Sequence, residues 1–324
     1  MKTEPRRKTV SFLNLKSYRF PILCIVFFVG LTTALAQETR QQNIAEDELD
    51  LKALLAAIKH HDALLKSGEG EVVYTLGVPP FVDSDTAIIT GTIAFNTEKT
   101  RFDSEETPFH SHGKTTILTP NGRWEIVPHK NRKPDYSFNT EESPRLINPW
   151  HDVDPRRWLT LRSKNLATHL ESKNFQIIGR EVFNDSLCYV LEAKDGDSTE
   201  KIWIAPDQGF RYLKHESQFP RPVDALDSEV PMEALTVFQT TISYQQYGEI
   251  WFPKVVFDEY AWVDFKPQDP IISGQKLDIK NFKINHDISP ETFTVDIPDD
   301  AMIKVNREKQ KLSKAEFFKR YGKQ

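Results

Sequence analysis

The sequence predicts a mainly β protein, an antiparallel sheet of about 10–11 strands covered by a few helices. Three observations carry that prediction. From Phe175 onward, short runs rich in β-branched and aromatic residues follow one another, separated by tight turns. Turns of this length join antiparallel neighbours, whereas parallel strands need long crossovers. Several strands are apolar on both faces, so both faces must be covered.

Taken in order, residues 47–66 form the clearest helix. Leu51, Leu54, Leu55, Ile58, Leu64 and Leu65 fall mostly on one side, and Ser67-Gly68 ends it. The period then changes to that of strands in Glu71–Leu76 and Ala87–Phe95. Lys114–Leu118 and Arg123–Val127 are joined through Pro120-Asn121-Gly122, a hairpin signal. Residues 128–160 collect Pro128, Pro134, Pro144, Pro149 and Pro155 among polar residues, which predicts a long surface excursion. Asp154-Pro155 starts a second helix to about residue 171, with Trp158, Leu159, Leu166 and Leu170 as its apolar stripe.

Phe175–Phe183 turns at Asn184-Asp185, Leu187–Ala193 at Asp195-Gly196, and Ser198–Ala205 at Pro206–Gly209. Phe210–Phe219 then enters a Pro-rich acidic loop at 221–233. Ala234–Tyr247, Trp251–Trp262, Lys276–Ile284 and Phe293–Ile297 complete the set. The charged tail from Asn306 is expected to carry a short helix around Ser313–Arg320. In Leu187–Leu191 no position is polar, and Lys254–Trp262 shows Val255 and Phe257 on one face, Val256, Tyr260 and Trp262 on the other. Two outcomes stay open: a barrel or sandwich filled by its own side chains, or a sheet curving around an apolar cavity.

The first 36 residues read as an export signal, with residues 37–305 as the folded domain and 306–324 as the tail. Basic residues run to Arg19, an apolar run spans Phe20–Leu31, and Ala34-Leu35-Ala36 is a small-x-small cleavage pattern. The run is shorter than the roughly 20 residues a membrane span needs. A cleaved, periplasmic chain is therefore expected; the alternative is an inner-membrane anchor through an uncleaved signal. Six of the 42 basic and one of the 47 acidic residues lie in that segment, leaving the remainder at a net charge of −10. So acidic a chain is a poor match for nucleic acid. Cys188 alone remains after cleavage, so no internal disulfide forms, and its apolar surroundings predict an inert thiol.

Later landmarks are Lys201-Ile202-Trp203-Ile204-Ala205-Pro206-Asp207-Gln208-Gly209-Phe210-Arg211, then Glu249–Lys254, Ile284–Phe293 and Ile297-Pro298-Asp299-Asp300-Ala301. With the helix Leu54-Leu55-Ala56-Ala57-Ile58 ahead of them, their order resembles the LolA/LolB-like group of outer-membrane lipoprotein-sorting proteins, over about residues 50–303. The resemblance implies a strongly curved antiparallel sheet, an incomplete β-barrel closed by helices around a cavity for acyl chains. It also implies a non-catalytic carrier or sensor of lipids or lipoproteins, with membrane-associated donor and acceptor partners. The chain departs from the small carriers in its length, in the excursion at 128–160 and in the loop at 221–233.

The candidate cavity residues are Val73, Ile89, Trp203, Tyr212, Phe238, Tyr244, Phe257, Tyr260 and Trp262, apolar side chains of successive strands. No cofactor is expected, and the chain is read as a monomer. Two other readings remain. One is a protein-binding scaffold using strand edges or the excursion. The other is a metal-dependent hydrolase around His110 and His112, with His129, Glu105 or Glu106 as third ligand, although the polar segment Asp103–Gly113 reads as a loop. No nucleophile elbow, phosphate loop or Cys-x-x-Cys pair is present.

Overall fold

The computed structural model describes residues 50–77, 87–105, 113–140, 153–161, 164–220, 235–263, 271–306 and 311–322. The export segment, the loop at 221–233, the histidines His110 and His112, and Glu106 lie outside the described residues.

Helix α1 (Leu51–Leu64) is capped by Asp50, whose carboxylate accepts from the Ala53 backbone N–H at 2.6 Å. Its apolar face buries Leu54 and Ile58. Six strands then follow: β1 (Gly68–Leu76), β2 (Ala87–Phe95), β3 (Thr100–Ser104), β4 (Lys114–Thr119), β5 (Gly122–Val127) and β6 (Asp135–Asn139). The helix expected over 155–171 is divided. A 3-10 turn, Pro155–Leu159, leads into a minimal hairpin of β7 (Thr160–Leu161) and β8 (Lys164–Asn165), and only Leu166–Glu171 is α-helical (α2). Asp154 and Asn165 each cap their own segment, so the chain restarts helix twice.

The second half is the predicted meander: β9 (Gln176–Phe183), β10 (Ser186–Asp195), β11 (Ser198–Ala205), β12 (Arg211–Pro220), β13 (Leu235–Tyr247), β14 (Ile250–Val263) and β15 (Ile271–Ile284). The β9–β10 turn places Asn184 and Asp185 at positive φ, as a two-residue hairpin requires. After β16 (Met302–Val305) and β17 (Lys311–Ser313), the chain ends in helix α3 (Lys314–Tyr321).

One sheet holds 15 strands in the order β17-β16-β6-β5-β4-β3-β2-β1-β15-β14-β13-β12-β11-β10-β9. It is antiparallel except for β16 beside β6, and it is open, with β17 and β9 at its edges. The sequence reading undercounted because β3, β6, β16 and β17 are short and carry charged or polar residues. Part of the proline-rich excursion is thus a strand: β6 pairs with β5 and buries Tyr136 and Phe138. Helix α3 closes that end with Phe317, which meets Trp124 at 4.9 Å and Phe138 at 5.2 Å between ring centroids.

Bulges bend the sheet where one strand carries an extra residue: in β15 opposite Glu69/Glu71, in β9 opposite Val190/Leu191, in β12 opposite Trp203/Ile204 and in β14 opposite Ser243/Tyr244. At the first of these, Phe282 of β15 packs directly over the β1 backbone. A Cβ on Gly70 would lie 2.3 Å from its ring, so only glycine admits the stack of Phe282 on Phe252, 4.8 Å apart. Apolar side chains are buried on both faces of β10–β12, as the two-sided strands suggested, while Ile88, Ile178, Val182, Leu187 and Phe257 are exposed. Cys188, Val190, Trp203, Ala205 and Leu213 cluster on one face of β10–β12. The helices take the other: α2 reaches Glu200 of β11 through His169, and Lys59 of α1 pairs with Glu171 of α2 at 2.5 Å.

Candidate functional site

A cleft of about 800 Å³ opens on the helix-bearing face, between β10–β14 and the segments flanking α2. Volumes of roughly 300–1,000 Å³ are those of ligand sites. Cross-strand register explains its floor. Ile202, His215, Thr240, Asp258 and Gln275 stand directly opposite one another across β11–β15. The next row along is Glu200, Ser217 and Phe238. The β11–β12 bulge matters here, because it lets Tyr212 and His215, three residues apart, both enter the lining.

The floor is polar at two points. Glu200 is 3% exposed, and its Oε1 accepts from the Nε2 atoms of His169 and His215, each at 2.8 Å. Its Oε2 accepts from Lys173. Burial opposes ionisation of Glu200, yet the hydrogen bonds from His169, His215 and Lys173 outweigh it and hold the carboxyl well below its usual range. Farther along, Asp258 accepts from Thr240 Oγ1 at 2.7 Å and from Gln275 Nε2 at 2.7 Å. Gln275 in turn accepts from the Tyr74 hydroxyl. Burial pushes the Asp258 carboxyl above its usual value, against those two hydrogen bonds and the Arg157 charge. The walls are aromatic: Trp158 from the 3-10 turn, Tyr212, and Phe219 stacked on Phe238 at 5.4 Å.

One buried clamp fixes the end of α1 to the sheet. The Arg211 guanidinium of β12 donates to Asp62 and to the His61 carbonyl, and its Nε donates to the Trp251 carbonyl at 3.3 Å. Burial raises the Asp62 carboxyl despite Arg211, and burial lowers His61. Gly209, at φ +66°, makes the turn into Arg211 where a Cβ would lie 3.1 Å from Trp251.

Of the side chains singled out in the sequence, Tyr212 and Phe238 line the cleft. Ile89 is buried in the core beside the cleft, in register with Tyr74, and Val73 takes the opposite face from Tyr74. Trp203 and Tyr244 belong to the cluster on the far face, and the Tyr244 hydroxyl donates to the Tyr212 carbonyl at 3.0 Å. Phe257 is exposed on that far side with Lys276 over its ring. The side chains of Tyr260 and Trp262 lie outside the described residues. Cys188 is buried, and burial, assisted by Asp207, raises its thiol to about 11.

The supplementary metal donors are used otherwise: His129 bonds Asp135 at 2.9 Å and Glu105 accepts from Thr90 at 2.6 Å. Among the described residues no group of three or more His, Cys, Asp or Glu is placed to hold a metal ion.

Sequence reasoning missed Glu200, His169, His215 and Asp258. A signal existed for the first: Ile202 and Ile204 point inward, so period two sends Glu200 inward as well.

No family model matches this sequence, and no curated protein matches it. Solved structures do. A LolA superfamily protein of Nitrosomonas europaea is similar at 15% identity and TM-score 0.39, covering 74% of this chain and 96% of that one. A DUF1329 family protein of Desulfovibrio piger is similar at 12% identity and TM-score 0.36, covering 77% and 98%. The lipoprotein LppX of Mycobacterium tuberculosis is similar at 13% identity and TM-score 0.27, covering 74% and 99%. The LolA superfamily, whose landmarks the sequence resembles, thus also stands among the structures the chain is similar to. At these overlaps the likeness carries nothing about the cleft.

Proposed function

We propose that the chain is an exported, monomeric, non-catalytic carrier or sensor that shelters the apolar part of a lipid or lipoprotein in this cleft. The observation that carries the reading is unfilled space of about 800 Å³ walled by Trp158, Phe219 and Phe238, on a sheet whose other face is separately packed. Each CH₂ moved from water into such a space contributes about 0.8 kcal/mol, so a short stretch of acyl chain suffices for binding. Export follows from the signal-like first 36 residues.

The test is binding of the apolar dye N-phenyl-1-naphthylamine, with mass spectrometry of organic extracts of the purified protein. Dye fluorescence that is displaced by a lipid, and is lost on Phe238→Glu, supports the reading. The absence of both dye binding and co-purifying lipid would overturn it.

A second reading is favoured by one feature. The edge strand β9 and its neighbour expose Ile178, Val182 and Leu187, with Val182 60% exposed. A protein-docking module would lose a stoichiometric partner on Val182→Lys while dye binding stayed intact.

A further inference from the structure

Among the described residues that line the cleft, Asp and Glu equal Lys and Arg in number, and this bears on what the ligand's polar end must be. Arg157, Lys173 and Lys194 stand there with Asp195, Glu200 and Asp258. The deepest charge is already consumed, since both oxygens of Glu200 are occupied by His169, His215 and Lys173. A phosphate or sulfate head would need cations in excess, and the more buried of the two lysines, Lys173, is already paired with a buried carboxylate.

Asp258 is different. Each of its oxygens accepts one hydrogen bond, from Thr240 or from Gln275, and keeps capacity for another, and Asp258 lines the cleft together with Arg157 and Tyr212. Acceptors and donors side by side, flanked by the Phe219–Phe238 stack, suit groups that both donate and accept. Hydroxyls do this without bringing charge.

We propose that the polar floor around Asp258 binds an uncharged, hydroxyl-rich headgroup, of glycosyl or glycerol type, while the aromatic walls hold the attached hydrocarbon. The proposal rests on the carrier reading and names the ligand class for the same cleft. Hydroxyls of the head reach Asp258, and the Lys173–Glu200 cluster keeps its internal pairing and sets the far limit of the pocket.

The test uses three probes of one chain length, below their micellar concentrations: dodecyl maltoside, dodecyl sulfate and dodecylphosphocholine. Binding to the full chain is followed by tryptophan fluorescence and calorimetry. The maltoside is expected to bind at least about tenfold tighter than either charged probe, and Asp258→Asn to shrink that preference to within about threefold. Should Asp258→Asn fail to fold, Arg157→Gln on the exposed turn serves instead. It removes a cation and leaves Asp258 with its Thr240 and Gln275 bonds in place, so maltoside affinity should stay within about threefold. Loss of sulfate binding in that variant, together with sulfate preference in the parent, would assign an anionic head and overturn the proposal. Equal affinity for all three probes also overturns it while leaving the carrier reading in place. Binding of none of the three sinks both.

Discussion

Replacing Glu200 with alanine tests whether the floor of the cleft is held by its charge cluster. The substitution removes the only acceptor shown for two buried imidazole N–H groups, those of His169 (2% exposed) and His215 (6% exposed). A buried donor left without a partner costs about 1–3 kcal/mol, so the pair accounts for about 2–6 kcal/mol. Lys173 adds little, because its side chain is 32% exposed and its ammonium can turn to water. Urea denaturation, with slope and midpoint both fitted, measures the loss. Glu200→Gln should lie between the parent and alanine, since an amide oxygen accepts from both rings. The parent should also show a specific acid sensitivity. Because the folded carboxyl is held below its unfolded value, its contribution is complete above that value and is lost as pH falls below about 4.5. Glu200→Gln should flatten that drop. A loss under about 1 kcal/mol for Glu200→Ala, with unchanged acid sensitivity, would falsify the view that these hydrogen bonds hold the floor.

Two further outcomes follow from the packing. Arg211→Met should destabilise by about 3 kcal/mol, because it strands the Asp62 carboxylate; adding Asp62→Asn should recover part of that loss, and a strictly additive double mutant in denaturation would show that the clamp is not coupled. Phe317→Ala should cost about 3–5 kcal/mol by thermal or urea unfolding, since the ring is fully buried against Trp124 and Phe138; a neutral result would detach α3 from the core.

Local chemistry was legible in the sequence. The turns at Asn184-Asp185 and Gly196 depend on residues that tolerate positive φ, and the strands between them on period-two patterning, so the β9–β15 meander was readable. However, β15 begins at Ile271 rather than Lys276, and the described residues 293–297, expected as a strand, form none, a 3-10 turn ending at Phe293. Apolar burial on both faces followed from the same patterning; it holds over β10–β12 and not at Phe257, which is exposed. Strands β3, β6, β16 and β17 were not legible, because a short polar strand is specified by the neighbour it pairs with. The long second helix failed for a related reason: Asn165 is a better cap than a helix interior residue, and the chain uses it as one.

The site divides along the same line. Aromatic residues in successive strands announced a lipophilic wall, and Tyr212 and Phe238 are part of it. Which face each aromatic takes depends on bulges, since one extra residue reverses everything beyond it. The polar floor was beyond the reach of any local pattern. His169 and His215 meet Glu200 from 31 and 15 residues away, Arg211 meets Asp62 across 149, and Tyr74 meets Gln275 across 201. By itself the sequence determined the strands of the meander, their turns and the double apolar facing, because those are set by neighbours along the chain. Only the tertiary structure decided that buried charge would share a cleft with aromatic walls. That arrangement arises from cross-strand register, which stacks residues distant in sequence into one row.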